Sequence, residues 1–377
     1  MPNQTIIEIF MFITVSIIIF IFSSKFFSFL DKEEKNRSEN LDGLRFFLAI
    51  AVAFHHMIFS YYYFNIHIWS VEKYHFNGKL GRFGVAMFFM LSAYLMTKRN
   101  IVTVPEIIKF YINRFFRIVP MFYFSSFLCL LTAVIFGHNI DYHSLLDNLF
   151  FWFDGGLTSY KPDINSFPNA NLINAGVMWT LPWEWFLYIS LPIIYIIRDK
   201  INNFAVSQTI SFVSVYFISR IDYNIACFIL CFSLGMTARD ILNKIRINNI
   251  MNSLIIILCL SLIFLRHSDP LSINDIIIEF ILFYCVCCGG DAFGILRMKG
   301  AVRLGEISYS IYLVHGISWF YINKIVTPYN LDNYIYLIVL FFTLVISCMI
   351  SCATFIFIEK PGINFGEKIA QNYVERA

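Results

Sequence analysis

The sequence predicts an all-α membrane protein, a polytopic transmembrane helix bundle of about eleven spans. Of its 377 residues, 58% are hydrophobic and only 14% are charged, whereas a soluble domain carries about a quarter charged residues. The apolar segments are long enough by count to cross a hydrocarbon core about 30 Å thick. The apolar composition makes a lipid bilayer the expected partner. The net charge of +3 is spread along alternating connecting segments, so it says little about partners and gives no argument for nucleic acid.

The predicted spans follow one another without an internal repeat. The first, over 5–30, lacks the basic flank and the small-residue cleavage site of a signal peptide, so we expect a retained transmembrane helix. The pivotal span covers about 42–64. The others are expected near 81–96, 118–136, 179–197, 203–219, 222–237, 250–266, 273–290, 304–326 and 334–358.

Three connecting segments carry specific expectations. Residues 65–80 read as a polar, aromatic loop, and the basic segment 98–117 reads as a separate amphipathic helix at the membrane interface. Residues 137–178 form the longest break, within which 145–153 is expected to lie on the membrane surface. The nine cysteines fall in apolar runs and are expected to pack as small hydrophobic residues, and we predict no metal site.

The basic residues predict an orientation. If the N-terminus is outside, 21 of the 28 Lys and Arg fall in cytoplasmic segments and 7 in outer ones. Such a bias is the signature of the positive-inside rule. We therefore expect the N-terminus outside, the C-terminus in the cytoplasm and the 137–178 break outside.

The pivotal span contains an unusual pair of ionisable residues. Arg45 and His56 are eleven residues apart, which is close to three helical turns, so they lie on one helix face about 16 Å apart. An ionisable residue at that depth is expensive to hold in a membrane and marks a functional site by default. His56 near its ordinary pKa would suit general base catalysis. The structural alternative is an interhelical hydrogen-bond partner.

Other helices supply further candidates. His315 lies eleven residues past Leu304, where another span begins, and therefore reaches a similar depth. Glu184 is close to the outer end of its span. Arg114 and Arg117 flank the fourth span, where they could clamp an anionic cofactor because guanidinium forks match phosphate oxygens. Interfacial anchoring explains the two arginines equally well.

Six short motifs occur in one order along the chain. They are Asp42-Gly43-Leu44-Arg45 with His56, the segment from Gly81 through Phe88-Phe89 to Ser92-Ala93-Tyr94, Arg114-x-x-Arg117-Ile118-x-Pro120, Trp179-x-Leu181-x-x-Glu184, Ser308-Tyr309-x-Ile311-Tyr312-Leu313-x-His315, and Glu359-Lys360-Pro361. On these motifs the chain resembles the acyltransferase-3 family of multi-spanning bacterial O-acyltransferases over about residues 40–365. Ala86 and Ala93 depart from the family pattern.

The resemblance implies a ten-helix acyltransferase domain over 40–365, preceded by an additional helix and charged connector in 1–39 and followed by a cytoplasmic tail over 366–377. It implies transfer of an acyl group, usually acetyl, from cytoplasmic acetyl-CoA to a hydroxyl of a cell-envelope polysaccharide such as O-antigen or capsule. The implied location is the bacterial inner membrane. No appended esterase-like domain is recognisable, so transfer is expected to be completed within the membrane domain or by a partner.

The expected site divides into two groups of residues. The catalytic group comprises His56, Arg45 and Glu184, with Glu184 on the path of an acceptor that enters from outside. His56 would act as general base or form a transient acyl-histidine. Arg45, Ser92 or Tyr309 could stabilise the oxyanion. The group expected to bind acyl-CoA comprises Arg114, Arg117, Ser92, Tyr309 and His315.

Two other classes of protein stay open on the sequence. A proton-coupled transporter of an envelope precursor would also bury His and Glu, although no inverted repeat is visible. A scaffold for a glycan-assembly complex would tolerate replacement of His56. Consumption of acyl-CoA distinguishes the enzyme from both.

Overall fold

Every segment predicted to cross the membrane is helical over most of its length in the computed structural model, which describes residues 1–31, 38–71, 73–97, 103–137, 142–164, 167–242, 244 and 248–376. Within these ranges there is no β-strand, apart from an isolated bridge between Ile164 and Phe167. The all-α fold class is therefore confirmed.

Fourteen α-helices lie in the described ranges. They are α1 (Gln4–Ser23), α2 (Glu39–Ile66), α3 (His75–Met96), α4 (Val104–Phe136), α5 (Tyr142–Trp152), α6 (Leu181–Lys200), α7 (Asn203–Tyr216), α8 (Tyr223–Asp240), α9 (Asn249–Leu265), α10 (Ile273–Cys287), α11 (Lys299–Glu306), α12 (Ser308–Val326), α13 (Asn333–Thr354) and α14 (Lys360–Arg376).

Six helical stretches of the described chain are both long and apolar enough to cross a membrane. They are Gln4–Ser23, Glu39–Ile66, His75–Met96, Val104–Phe136, Val177–Lys200 and Asn333–Glu375. This is the pattern of a multi-pass membrane protein. The count of about eleven spans stays a prediction, because α7 to α10 and α12 do not meet both criteria.

Two connecting segments have bounds other than those predicted. The fourth span and the basic segment before it form one continuous helix, α4, which begins at a capping box between Thr103 and Glu106 and contains Pro120. No separate interfacial helix precedes it within 103–117, and 98–102 lie outside the described residues. The predicted 65–80 loop ends early, because α3 already begins at His75.

The C-terminal segment is a packed helix. A π-helical turn, Phe355–Glu359, joins α13 to α14. Helix α14 lies against α4, where a Cβ atom on Gly366 would come within 2.5 Å of the Phe116 side chain. The boundary predicted between residues 365 and 366 therefore falls inside one helix that rests on the bundle.

Helix α1 is fastened to the bundle through α11. Arg303, which is buried, donates to both carboxylate oxygens of Asp31 and to the carbonyls of Phe22 and Ser24. The guanidinium of Arg303 holds the pKa of the Asp31 carboxyl below its ordinary value. Ser23 accepts a hydrogen bond from the backbone of Gly300 at 3.0 Å. The additional N-terminal helix is thus an integral part of the packing.

Helix α2 lies at the centre, against α3, α11 and α12. Gly43 allows the backbone of Leu296 to approach so closely that a Cβ atom would stand 1.8 Å from its carbonyl oxygen. On the other side, Trp319 of α12 donates to the Ala53 carbonyl, and Ser60 bonds to Asn323. These contacts fix α2 and α12 relative to each other on both sides of His56.

The cysteines behave as the sequence predicts. All nine are free, and seven of them are buried. They fill space among larger side chains, as small apolar residues do.

Candidate active site

Two cavities open in the bundle on either side of one short segment. The larger, of about 940 Å³, is lined by His55 and His56 among others, and we call it the His cavity. The smaller, of about 330 Å³, is lined by Arg45, Arg114 and Arg117, and we call it the Arg cavity. The segment 170–180 separates them: Asn174, Ala175, Gly176, Met178 and Trp179 line the His cavity, and Thr180 lines the Arg cavity.

The separating segment is held against α12. It consists of two 3-10 turns joined by Ala175 and Gly176, both of which have positive φ. The Tyr312 hydroxyl lies 2.9 Å from the Thr180 hydroxyl and 3.1 Å from the carbonyl oxygen of Val177. Irregular backbone is tolerated inside a membrane bundle when it is buried in protein or lines a cavity, and this segment does both.

His56 and His315 form a hydrogen-bonded pair at the wall of the His cavity. His56 Nδ1 lies 2.9 Å from His315 Nε2. His315 is fully buried, whereas His56 is half-buried and lines the cavity. The ring of Trp69 stacks beside His56 with centroids 6.2 Å apart. His56 is therefore the member of the pair that a ligand in the cavity can touch.

A chain of hydrogen bonds sets the tautomer of both rings. His315 Nδ1 lies 3.1 Å from the carbonyl oxygen of Ile311, and a carbonyl can only accept, so Nδ1 carries the proton. In the neutral ring His315 Nε2 is then an acceptor, and His56 Nδ1 must donate to it. This leaves the Nε2 lone pair of His56 free, and a free imidazole lone pair is what a general base requires.

Replacement of His315 by phenylalanine should lower kcat about 10- to 100-fold and leave KM for either substrate nearly unchanged. The reason is that the Nδ1–H of His56 would lose its acceptor, which costs about 1–3 kcal/mol. The proton of His56 would then no longer be held on Nδ1. The measurement is acyl transfer by purified His315→Phe and His315→Gln, with melting temperature as the folding control. A rise in KM at constant kcat would instead make His315 part of a binding site.

The arginines of the Arg cavity rest on a buried carboxylate. Glu359, in the π-helical turn, is fully buried and lies 3.5 Å from Arg117. Ser310 donates to its other oxygen at 2.7 Å. Arg45 contacts Asp42 only at 4.0 Å and lies within electrostatic reach of Glu359. Glu359 thus holds the positive charge of the cavity in place.

Arg114 has a buried donor that a ligand could use. Its guanidinium lies 5.7 Å from the ring of Tyr188 and 5.9 Å from that of Phe110. Its Nε is buried and has no hydrogen-bond partner among the described residues. A buried guanidinium donor without an acceptor is costly, and an anionic group in the cavity would satisfy it.

The structure brings together most of the predicted residues that were assigned to the donor. Ser92 and Tyr309 line the Arg cavity with the three arginines, and the Tyr309 hydroxyl donates to the Ile118 carbonyl at 3.0 Å. Arg45, predicted as catalytic and about 16 Å from His56, lines this cavity. The two residues share a helix face but belong to different cavities.

Two predicted site residues lie in surroundings that the sequence did not indicate. Glu184 was expected on the acceptor path, but it lines the Arg cavity and accepts a hydrogen bond from Tyr188, because α6 begins beside the separating segment at Leu181. His315 was grouped with the donor-binding residues, but it is buried against His56. The helix is interrupted at Ile307 between α11 and α12, so the eleven residues from Leu304 to His315 do not form one continuous helix. His315 therefore lies two turns into α12.

Several residues of the site had no predicted role. Glu359 was quoted within a motif, and only its burial against Arg117 reveals a function. Tyr312 and Thr180 come from distant segments and meet between the cavities. Asn174 also has no signal in the sequence, because nothing in a loop asparagine indicates burial.

The bundle of apolar helices thus contains an imidazole pair at the wall of one of two neighbouring cavities. A family model described as an acyltransferase domain matches residues 38–352, and the chain belongs to this acyltransferase-3 family. It is 25% identical over 195 residues to the protein named "Putative acetyltransferase ORF330" of Acidianus two-tailed virus. That match covers 51% of this chain and 52% of the viral protein, so the chain spans about half the length of that relative. No solved structure matches the chain.

Proposed function

We propose that this acyltransferase is an integral-membrane O-acyltransferase that moves an acetyl group from acetyl-CoA to a hydroxyl of a cell-envelope polysaccharide. The observation that carries the proposal is the hydrogen bond from His56 to His315. It leaves the Nε2 lone pair of His56 free at the wall of a cavity. Proton abstraction from an attacking hydroxyl needs such a base within hydrogen-bond reach.

The Arg cavity is the proposed site of the acyl-CoA donor. Arg45, Arg114 and Arg117 converge there, and arginine forks bind phosphate oxygens in two-pronged geometry. The orphan Nε of Arg114 supports an anionic occupant. The phosphates of acyl-CoA would bind the arginines, and the thioester would extend toward Tyr312 and the separating segment.

The His cavity is the proposed site of the acceptor. It is nearly three times larger and contains the aromatic rings of Phe59, Trp69 and Trp179 beside polar amides. Aromatic faces with a few placed polar groups suit a sugar ring, whose faces are apolar and whose rim carries hydroxyls. O-antigen and capsule are both acceptors of this kind.

The reaction follows from this arrangement. The acceptor hydroxyl attacks the thioester carbonyl carbon while His56 Nε2 takes its proton, so that a C–O bond forms and the carbonyl oxygen becomes an oxyanion. The C–S bond then breaks. The thiolate of CoA takes the proton from His56 Nε2, which returns the base to its starting state.

The proposed setting is a bacterial inner membrane with the N-terminus outside and the C-terminus in the cytoplasm. The bias of Lys and Arg toward one set of connecting segments supports this orientation. The Arg cavity then faces cytoplasmic acetyl-CoA, and the His cavity faces the envelope. The acyl group crosses the membrane at the separating segment.

The experiment that tests the function counts ester-linked acetyl groups by NMR. Surface polysaccharide is purified from cells with the wild-type protein and from cells without it, before and after mild alkali. Acetyl esters that appear only with the protein establish the reaction and the acceptor. Absence of esters in both samples, together with no release of CoA by purified protein, would refute the proposal and favour a transporter.

Replacement of Arg114 by alanine should raise KM for acetyl-CoA about 10- to 100-fold and change kcat little. A charge-assisted hydrogen bond contributes about 1.5–3 kcal/mol, and a phosphate held away from the reacting carbon contributes equally to the ground and transition states. The assay is CoA release with varied acetyl-CoA. The matched control is Lys109→Ala, which removes an exposed cation from the same helix outside the Arg cavity.

A further inference from the structure

Asn174 is an amide that the fold buries and leaves without a partner. Only 1% of the residue is exposed, and its Nδ2 has no hydrogen-bond partner among the described residues. Yet Asn174 is one of the residues that line the His cavity. A buried donor without an acceptor costs about 1–3 kcal/mol, and such a group calls for an explanation.

The fold holds the backbone of Asn174 against the turn of α12 that carries His315. A Cβ atom on Gly316 would stand 2.2 Å from the carbonyl carbon of Asn174, so glycine is required there for the separating segment to lie against α12. Gly316 directly follows His315, which is hydrogen bonded to His56. The chain therefore places the amide and the free nitrogen of His56 on the wall of one cavity.

The next residues fix the backbone at Asn174. Ala175 adopts a left-handed conformation with φ of 60°, which costs an L-residue roughly 1–2 kcal/mol. Its N–H donates to the Leu172 carbonyl, and the N–H of Gly176 donates to the Asn171 carbonyl. The position of the amide is thus set by the segment and not by contacts of its own NH₂ group.

We propose that Asn174 is a further catalytic residue, whose side-chain NH₂ donates to the oxyanion that forms when the acceptor hydroxyl attacks the thioester. This inference rests on the proposed function. The thioester carbonyl must lie next to the hydroxyl whose proton His56 takes, and this brings its oxygen to the same wall. Negative charge then accumulates on that oxygen until the C–S bond breaks. A preorganised amide donor gains strength with this charge.

The test uses full-length protein in lipid nanodiscs with acetyl-CoA and with surface polysaccharide stripped of its esters by mild alkali. Asn174→Leu and Asn174→Asp keep the approximate size but remove the NH₂ group. We expect both to lower kcat about 100- to 1,000-fold, as loss of one oxyanion donor does, with KM for both substrates within about threefold of wild type. The matched control is Asn65→Leu, an exposed amide near the end of α2, which should keep wild-type kcat.

The outcomes separate this inference from the function on which it rests. If the wild type releases no CoA, the proposed function fails and the role of Asn174 fails with it. If the wild type transfers acetyl and either folded variant retains kcat within threefold, only the role of Asn174 is overturned. A rise in KM for the polysaccharide at constant kcat also overturns it, because the amide would then bind the acceptor equally in the ground state. Melting curves identify a variant that does not fold, and the other variant then decides.

Discussion

His56→Ala and His56→Gln should abolish acetyl transfer while the protein still folds and inserts into the membrane. Each removes the nitrogen whose free lone pair faces the His cavity. A positioned general base contributes about 100- to 10,000-fold, so the residual rate should fall at least a hundredfold. The measurement is the ester-linked acetyl content of surface polysaccharide at matched membrane levels of each protein, followed by CoA release in nanodiscs.

The control is His67→Asn, because His67 ends α2 in a left-handed conformation that asparagine tolerates and is exposed away from both cavities. Transfer above a tenth of the wild-type rate in His56→Gln would remove His56 as the base. In the absence of acceptor, radiolabelled acetyl could stay bound to the wild-type protein and not to the variant. That result would show that His56 acts through an acyl-histidine intermediate and not by proton abstraction.

Arg117→Gln is expected to cause the largest loss of stability, about 3–5 kcal/mol, together with weak acetyl-CoA binding. The substitution removes the ion-pair partner of the fully buried Glu359 and leaves it only the more distant charge of Arg45 and the hydrogen bond from Ser310. Breaking a buried pair on one side is strongly destabilising. Thermal denaturation in detergent measures the first effect. KM for acetyl-CoA measures the second.

The double variant Arg117→Gln, Glu359→Gln separates the two effects. It should recover most of the stability, because no buried charge then lacks its partner, but it should not recover donor affinity. Lys299→Gln is the control, since its pair with Asp31 is exposed and such pairs contribute about 0–1 kcal/mol. Equal stability of Arg117→Gln and wild type would show that Glu359 has another compensating partner.

The sequence determined which segments are helical and which residues are chemically unusual. Runs of apolar residues exclude irregular backbone in a bilayer, because unpaired N–H and C=O groups are too costly there. This is why α1 to α4 and α13 were found from composition. Arg45 and His56 stood out for the same reason, since the membrane makes each ionisable residue expensive.

The ends of helices were less predictable where a polar segment adjoins an apolar one. Basic residues in 103–117 suggested an interfacial helix, but packing against α14 and the cap at Thr103 allow α4 to run through them. Glu184 seemed to lie near the outer end of a span. It does lie in the first turn of α6, but only the structure shows that this end of the helix lies beside the Arg cavity.

Only the tertiary structure decided which groups act together. Periodicity aligned Arg45 with His56, yet the separating segment assigns them to different cavities. The partner of His56 is 259 residues away in the chain, and the tautomer that frees its Nε2 depends on a carbonyl in α12. Hydrogen bonds and burial join residues that are remote in sequence, so no local pattern could have specified the His56–His315 pair, the Arg117–Glu359 pair or the orphan amide of Asn174.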